Sequence, residues 1–475
     1  MIAGRTPSLM WIIRSAGSIL AHADKRGISR NDGSRGMGTD TAKAWFEEGR
    51  RRQGAGDAAG AVEAYRRSLD LFPAAAGPAT NLAGLLADAN RLEEAEAVLR
   101  RTARAGGADL PLLLNLGEVL RLAGRHGEAV EAVRLAWERA PGDPDVRALH
   151  AAVLRAAGAR AQAMTVYRKL LAVAPDHAGA RTNLADMLRE DGDPAGALAL
   201  IRPLAHRPDA SEAVRHTHLM SLFDTGDVAG ATAAGRRILQ DKHARALAGY
   251  AASGLPSRVD RSAANPEGRD VIAFSLFGAV PCYLEGAIAN VALAKDHYPG
   301  WTCRFHCDGT VPAEIRERLV ADGAEVVMVP DAWRTLHGAV WRYFVADDRT
   351  VRRFLSRDCD NRINGQERWA VERWLASDRS FHLMRDHPYH ADLILANMWG
   401  GFAGVMPPLE TLLRAFPLRR TDRWSDQVFA AAAIWPQMSG DVLIHDSVWA
   451  PLFGAEPFDP AVMLARPDHV GRSFK

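Results

Sequence analysis

Two carboxylates two residues apart, Asp358 and Asp360, stand in the stretch Ser356-Arg357-Asp358-Cys359-Asp360-Asn361-Arg362. Thr350 to Leu355 ahead of them reads as a strand, and Gly365 to Ser377 behind them reads as a helix. Residues two apart on extended backbone point to the same side. Oxygen donors placed so at the end of a strand can hold a hard divalent cation and leave its other positions for a diphosphate. An ordinary acidic turn has the same spelling, so the triplet alone does not separate the two readings.

The elements around the triplet set where it would sit. Asp270 to Gly278 reads as a buried strand running into a glycine turn, Leu284 to His297 as a helix, and Trp301 to Cys307 as a second strand. A helix from Pro312 to Asp322 and a strand over Ala324 to Val329 follow. Later strands are expected at Phe381 to Arg385, ending in Asp386-His387-Pro388, and at Val442 to Ile444, ending in His445-Asp446. Strands alternating with helices predict a mostly parallel, doubly wound α/β sheet. In such sheets ligands lie beyond the carboxyl ends of the strands. Phe277-Gly278, Asp358/Asp360, Asp386 and His445 would all face that rim. Two imidazoles, His387 and His390, also allow a metal-dependent hydrolase with Asp358, provided that all three converge; Pro388 between them forbids an ordinary helix interior.

The first half of the chain is different. Ala61, Ala95, Ala129, Ala163, Ala197 and Ala231 recur at a constant step of 34 residues. Gly56, Asn90, Gly124, Gly158, Gly192 and Gly226 keep the same step five residues earlier. Tyr65, Leu99, Val133, Tyr167 and Ile201 follow the alanines by four, and Pro73, Pro141 and Pro175 close units. This is a helix hairpin: Gly or Asn ends the first helix in the left-handed position, alanine permits close approach, and proline stops the second helix. Each hairpin buries its apolar face only against its neighbours. Trp45, Gly49, Ala61, Tyr65 and Pro73, with Asn81-Leu82-Ala83, Asn115-Leu116-Gly117 and Asn183-Leu184-Ala185, resemble the tetratricopeptide repeat. Six units over residues 41–250 are expected, with Gly235 in the sixth taken as the irregularity of a capping repeat. The resemblance implies an all-α solenoid whose groove takes a protein or peptide partner, Asn81, Asn115 and Asn183 serving either that groove or packing.

Between the halves, 251–269 is rich in Pro, Gly and Asn and reads as a linker. Most of the twelve tryptophans lie beyond residue 300. The second half, 270–475, has a strand-glycine opening, the Asp358-Cys359-Asp360 triplet, Met398-Trp399-Gly400-Gly401, Asp426-Gln427 on a later helix and a terminal strand with His445. That order resembles GT-A-fold glycosyltransferases of the glycogenin-like and bacterial galactosyltransferase-like kind. The resemblance implies Asp360 as a direct metal ligand, Asp358 on ribose or metal, and His445 as the third ligand of Mn²⁺ (or Mg²⁺). It implies a nucleotide at Phe277-Gly278, with Arg357, Arg362 or Arg385 on the donor's phosphates. Gly400-Gly401 would let backbone approach the sugar, beside Trp399, while Asp386, Asp426 and Gln427 would hold sugar hydroxyls or the acceptor. The basic residue that such enzymes carry between the first strands is not evident. The reaction implied is sugar transfer from a nucleotide-diphosphate donor to a protein or glycan; the rival reading is an interaction scaffold that keeps the fold without catalysis.

Composition fits this division. The chain has 475 residues, enough for two or three domains, with 48% apolar and 24% charged residues. A net charge of +2 argues against a nucleic-acid partner. Four cysteines without paired CxxC spacing read as free thiols of a cytoplasmic protein. Leu9 to Ile13 is too short to span a membrane. Residues 1–40 read as an unstructured extension, with Met37 an alternative start.

Overall fold

The computed structural model describes residues 36–55, 57–89, 91–256, 259–418, 425–465 and 468–473. Most of the predicted N-terminal extension lies outside them, and helix begins at Gly36. The chain forms two compact units that meet in sequence at Thr225/Gly226.

The first unit is a run of antiparallel helix pairs: α1 (Gly36–Gly54) with α2 (Ala58–Leu71), α3 (Ala76–Asp88) with α4 (Leu92–Thr102), and α5 (Leu110–Leu122) with α6 (His126–Arg139). Then come α7 (Pro144–Ala156) with α8 (Arg160–Val173), α9 (Ala178–Glu190) with α10 (Pro194–Ala205), and α11 (Glu212–Asp224). Gly124, Gly158 and Gly192 take the left-handed turns between partners, with φ of 73°, 79° and 82°. Gly56 and Asn90, expected at the first two of these turns, lie outside the described residues. Asp57, Asp109, Asp143 and Asp193 cap the helices that follow them, each carboxylate accepting from a backbone N–H two or three residues on. Ala61, Ala95, Ala129, Ala163 and Ala197 are fully buried, as their size at the helix contacts demands. Asn81 donates to the Tyr65 hydroxyl at 3.2 Å, and Asn115 to its own helix at Pro111 O. Both bonds belong to packing.

The second unit begins with α12 (Val228–Ala252) and is built on a seven-stranded sheet. Its strands are β1 (Arg269–Leu276), β2 (Thr302–Cys307), β3 (Glu325–Met328), β4 (Val351–Arg357), β5 (Phe381–Arg385), β6 (Trp399–Phe402) and β7 (Val442–Asp446). They lie in the order β3-β2-β1-β4-β6-β5-β7. Helices α13 (Pro281–His297), α14 (Ala313–Ala321) and α15 (Gly365–Leu375) connect them, and α16 (Leu409–Ala415), α17 (Ser425–Phe429) and α18 (Trp435–Met438) precede β7. Phe274, Phe305, Leu355 and Trp374 are among the buried side chains of the sheet's core.

The sheet is mixed. β6 pairs antiparallel with both β4 and β5, while the other pairings are parallel. The Gly-rich segment expected to approach the sugar is an inner strand of this sheet. A Cβ on Gly400 would overlap the Phe354 carbonyl oxygen, and one on Gly401 would run into the Phe381 ring. The two glycines serve strand packing.

Gly235 has a similar explanation. A side chain there would collide with the indole of Trp449, which Arg236 anchors by donating to Trp449 O at 3.1 Å. The missing large residue of the sixth repeat thus leaves room for a tryptophan of the sheet unit.

Candidate functional site

β1 and β4 are parallel neighbours whose register runs to Phe274 opposite Arg357, so both strands finish at one rim. From β1 the chain winds outward to β2 and β3, and from β4 it winds the other way. The crevice beyond their carboxyl ends is the topological switch point, the usual ligand position in open α/β sheets.

Beyond β1, Phe277 is 39% exposed and meets the rings of His337 and Trp341 edge-on. Gly278 turns with φ of 72° and donates its N–H to the Thr310 hydroxyl at 2.7 Å. Beyond β4, the backbone N–H of Asn361 donates to Asp358 O at 3.3 Å and closes a turn on the acidic triplet. Helix α13 presses on that turn: a Cβ on Gly286 would overlap Cys359 O. Its Asn290 donates to Asn361 O at 2.8 Å and accepts from Ile363 N at 3.1 Å. Arg362 donates to Cys359 O and Asn361 O, both at 3.2 Å, and braces the same turn. Burial pushes the Cys359 thiol well above its ordinary value, so it stays protonated.

The charged centre of this rim is Arg342, on a 3₁₀ segment over Gly338–Asp347. Ser275 of β1 fixes that segment, donating to Ala339 O at 3.2 Å and accepting from Arg342 N at 2.9 Å. The Arg342 side chain is 1% exposed and bridges two carboxylates, Asp358 and, at 2.6 Å, Asp426. Burial drives the Asp426 carboxyl up to about 6; Arg342 opposes the rise and Asp358 adds to it. Two acids against one guanidinium leave the group one negative charge in excess when both are ionised. Asp358 carries the accessible edge, at 35% exposed, and Asp360 is buried behind it.

The other expected site residues separate from this group. His445 lies in β7, three strand spacings from β4, or roughly 14 Å across the sheet. Its ring packs against Trp369 and Phe458, and neither ring nitrogen has a hydrogen-bond partner among the described residues. Asp358, Asp360 and His445 are not gathered round one point, so the expected ligand set does not fit one ion. Arg357 is internal: it donates to Glu367 at 2.8 Å and to the Ser356 carbonyl at 2.8 Å. Arg385 is likewise fully buried against Asp446 at 2.8 Å. Neither faces a phosphate. Trp399 stacks edge-on with Tyr343 and Phe354 inside the core, and Gln427 accepts from Ala396 N at 2.9 Å, holding the strand approach to β6.

Asp386 follows β5 directly. It accepts from Gln366 Nε2 at 2.8 Å and from Val470 N at 3.2 Å. Its ligand atoms and those of His390 and His469 lie within 4.8 Å of one another, the one such group among the described residues. Asp358 does not belong to it, which removes the Asp358-His387-His390 hydrolase.

Sequence reading missed Arg342 and His469. The signal for Arg342 is a lone cation in the apolar run Val340-Trp341-Arg342-Tyr343-Phe344-Val345, where only paired charge is tolerated. His469 carries no such mark, because the tail meets β5 only through the fold.

Among the described residues no helix is long and apolar enough to cross a membrane. No curated protein matches the chain. The tetratricopeptide repeat family matches residues 46–111 and 149–215. Among solved structures, YrrB, a TPR protein with an unusual peptide-binding site, is 18% identical, with 38% of this chain and 97% of that one covered and a TM-score of 0.31. PilF of Pseudomonas aeruginosa is 18% identical over 43% of this chain and 92% of its own, at a TM-score of 0.37. A thermophilic TPR protein of Thermus thermophilus is 16% identical over 38% of this chain and 99% of its own, at a TM-score of 0.33. The 34-residue period, the buried alanines and the family match together show that the first half of this chain carries tetratricopeptide repeats, an architecture suited to protein interaction.

Proposed function

We propose that the sheet unit transfers a sugar from a nucleotide-diphosphate donor, and that the repeats hold the protein partner or acceptor. The observation that carries the reading is the meeting of Phe277-Gly278, Asp358 and the Arg342-bridged Asp426 at the switch-point rim of β1 and β4. The aromatic face of Phe277 and the open turn at Gly278 suit a nucleoside, and Asp358 suits ribose or sugar hydroxyls. Asp426, with its carboxyl raised to about 6, is matched to taking a proton near neutral pH. In this reaction the acceptor oxygen bonds to the anomeric carbon, its proton goes to Asp426, and the bond to the diphosphate breaks with both electrons leaving on the nucleotide.

Calorimetric titration with UDP and GDP, with and without Mn²⁺, tests the pocket, and release of nucleotide from sugar donors tests the chemistry. The wild type should bind one nucleotide per chain, and Asp426→Asn should keep binding while losing about 10²-fold or more in turnover. Absence of both nucleotide binding and donor cleavage would overturn the proposal in favour of an interaction scaffold.

A further inference from the structure

The group at the end of β5 is built as a metal site, and we infer that Asp386, His390 and His469 bind one divalent transition-metal ion of the zinc class. The inference stands apart from the sugar-transfer reading. The site's ligands come from the end of β5, two strand spacings from β4, and from the tail, whose Gly471 packs beside Asn361 of the acidic turn.

The donors are of the right kind and face one another. The backbone N–H of Asp386 donates to His390 Nδ1 at 3.4 Å, so this nitrogen presents a lone pair. His390 Nδ1 also lies 3.7 Å from Asp386 Oδ1. His469 Nδ1 lies 2.9 Å from Val470 O and must donate to it, which leaves Nε2 as the free donor atom. A ring nitrogen fixed by a carbonyl in this way is the usual outer support of a metal-bound histidine.

Asp386 is supported equally well. Gln366, itself 1% exposed, donates to Oδ2 at 2.8 Å while its own carbonyl accepts from Leu464 N at 2.8 Å. Val470 N donates to the carboxylate at 3.2 Å. His387 stacks on His469 with ring centres 4.6 Å apart and walls the group on one side.

Two imidazoles and a carboxylate select a borderline ion such as Zn²⁺ over Mg²⁺ or Ca²⁺, and leave a fourth position for water or a ligand. Ligands of a tetrahedral zinc stand roughly 3.3 Å apart, against a span of up to 4.8 Å here. Binding would thus draw the two rings inward by about an ångström, and it would tie the segment 468–473 to the end of β5.

The test uses the full chain, stripped with chelator and titrated with Co²⁺ as a spectroscopic stand-in, then displaced by Zn²⁺. One equivalent of Co²⁺ should give visible d–d absorption, which Zn²⁺ abolishes. His390→Gln and His469→Ala should each weaken uptake by at least about 100-fold, and Gln366→Ala by about 10- to 100-fold. Asp358→Asn should bind as the wild type does, with circular dichroism melts establishing that every variant is folded. Absence of saturable uptake by the wild type, or uptake unchanged in both histidine variants, would overturn the inference. Loss of uptake in Asp358→Asn would also overturn it, by placing the ion at the acidic turn of the transferase reading.

Discussion

At the scale of single residues, Arg342 decides most. It is buried with two carboxylates, and its removal strands both charges away from water. Arg342→Ala should therefore cost about 3–5 kcal/mol, read as a lower urea midpoint. Arg342→Lys should recover only part, since one ammonium cannot reproduce a planar fork that reaches two acids. An unchanged midpoint in both variants would show that the bridge is not formed. His445 gives a second prediction, with its sign fixed by burial. Its imidazole is held down to about 4, by burial first and by Arg373 second, against an unfolded value near 6.5. Between these values the unfolded chain binds more protons, so His445 makes stability fall as pH drops from about 6.5 toward 4. Asp426 acts oppositely: its folded value, about 6, exceeds the unfolded 3.8, so stability rises as pH falls through that window. Thermal melts from pH 7 to 4.5 should show a flatter acid loss in His445→Gln and a steeper one in Asp426→Asn. The acidic triplet was legible in the sequence because it ends a strand. Its partner was not, because Arg342 lies 16 residues upstream and reaches Asp358 only once Ser275 has fastened its segment to β1.

At the scale of elements, strand and helix periodicity recovered β1 to β5 and β7 with their connecting helices to within a few residues. β6 escaped it for a physical reason. A strand containing Gly400 and Gly401 has little strand propensity of its own and exists because β4 and β5 need a thin partner between them. Gly400→Ala should thus destabilise the sheet unit by about 2–3 kcal/mol or more, the methyl group meeting a carbonyl that cannot withdraw. Gly365→Ala, where a Cβ would meet open space at the start of α15, should be neutral or stabilising by about 0.4–1 kcal/mol. Denaturant unfolding of the pair tests this: equal midpoints would mean that β6 tolerates side chains, and the close packing of β4 on β6 would be wrong.

At the scale of the whole molecule, the sequence period and the compact units disagree about one helix, and the disagreement is informative. The 34-residue step places α12 in the sixth repeat, yet compactness assigns it to the sheet unit. Its side chains explain why. His243 accepts from Trp435 Nε1 at 3.0 Å, Lys242 pairs with Asp392 at 2.5 Å and donates to Ala391 O, and Tyr250 stacks on Phe416. Repeat periodicity records which helix can form a hairpin; it does not record which surface the second helix covers. A fragment beginning at Gly226 should accordingly unfold in one cooperative transition. A fragment beginning at Ser253 lacks α12, and the faces of Trp435, Trp449 and Phe416 that this helix covers would be open to water. Each such aromatic contributes on the order of 150–250 Å² of surface, so the shorter fragment should aggregate or bind a hydrophobic dye strongly. Equal cooperativity and equal melting temperature in the two fragments would put the boundary back in the Pro/Gly-rich linker and return α12 to the repeats.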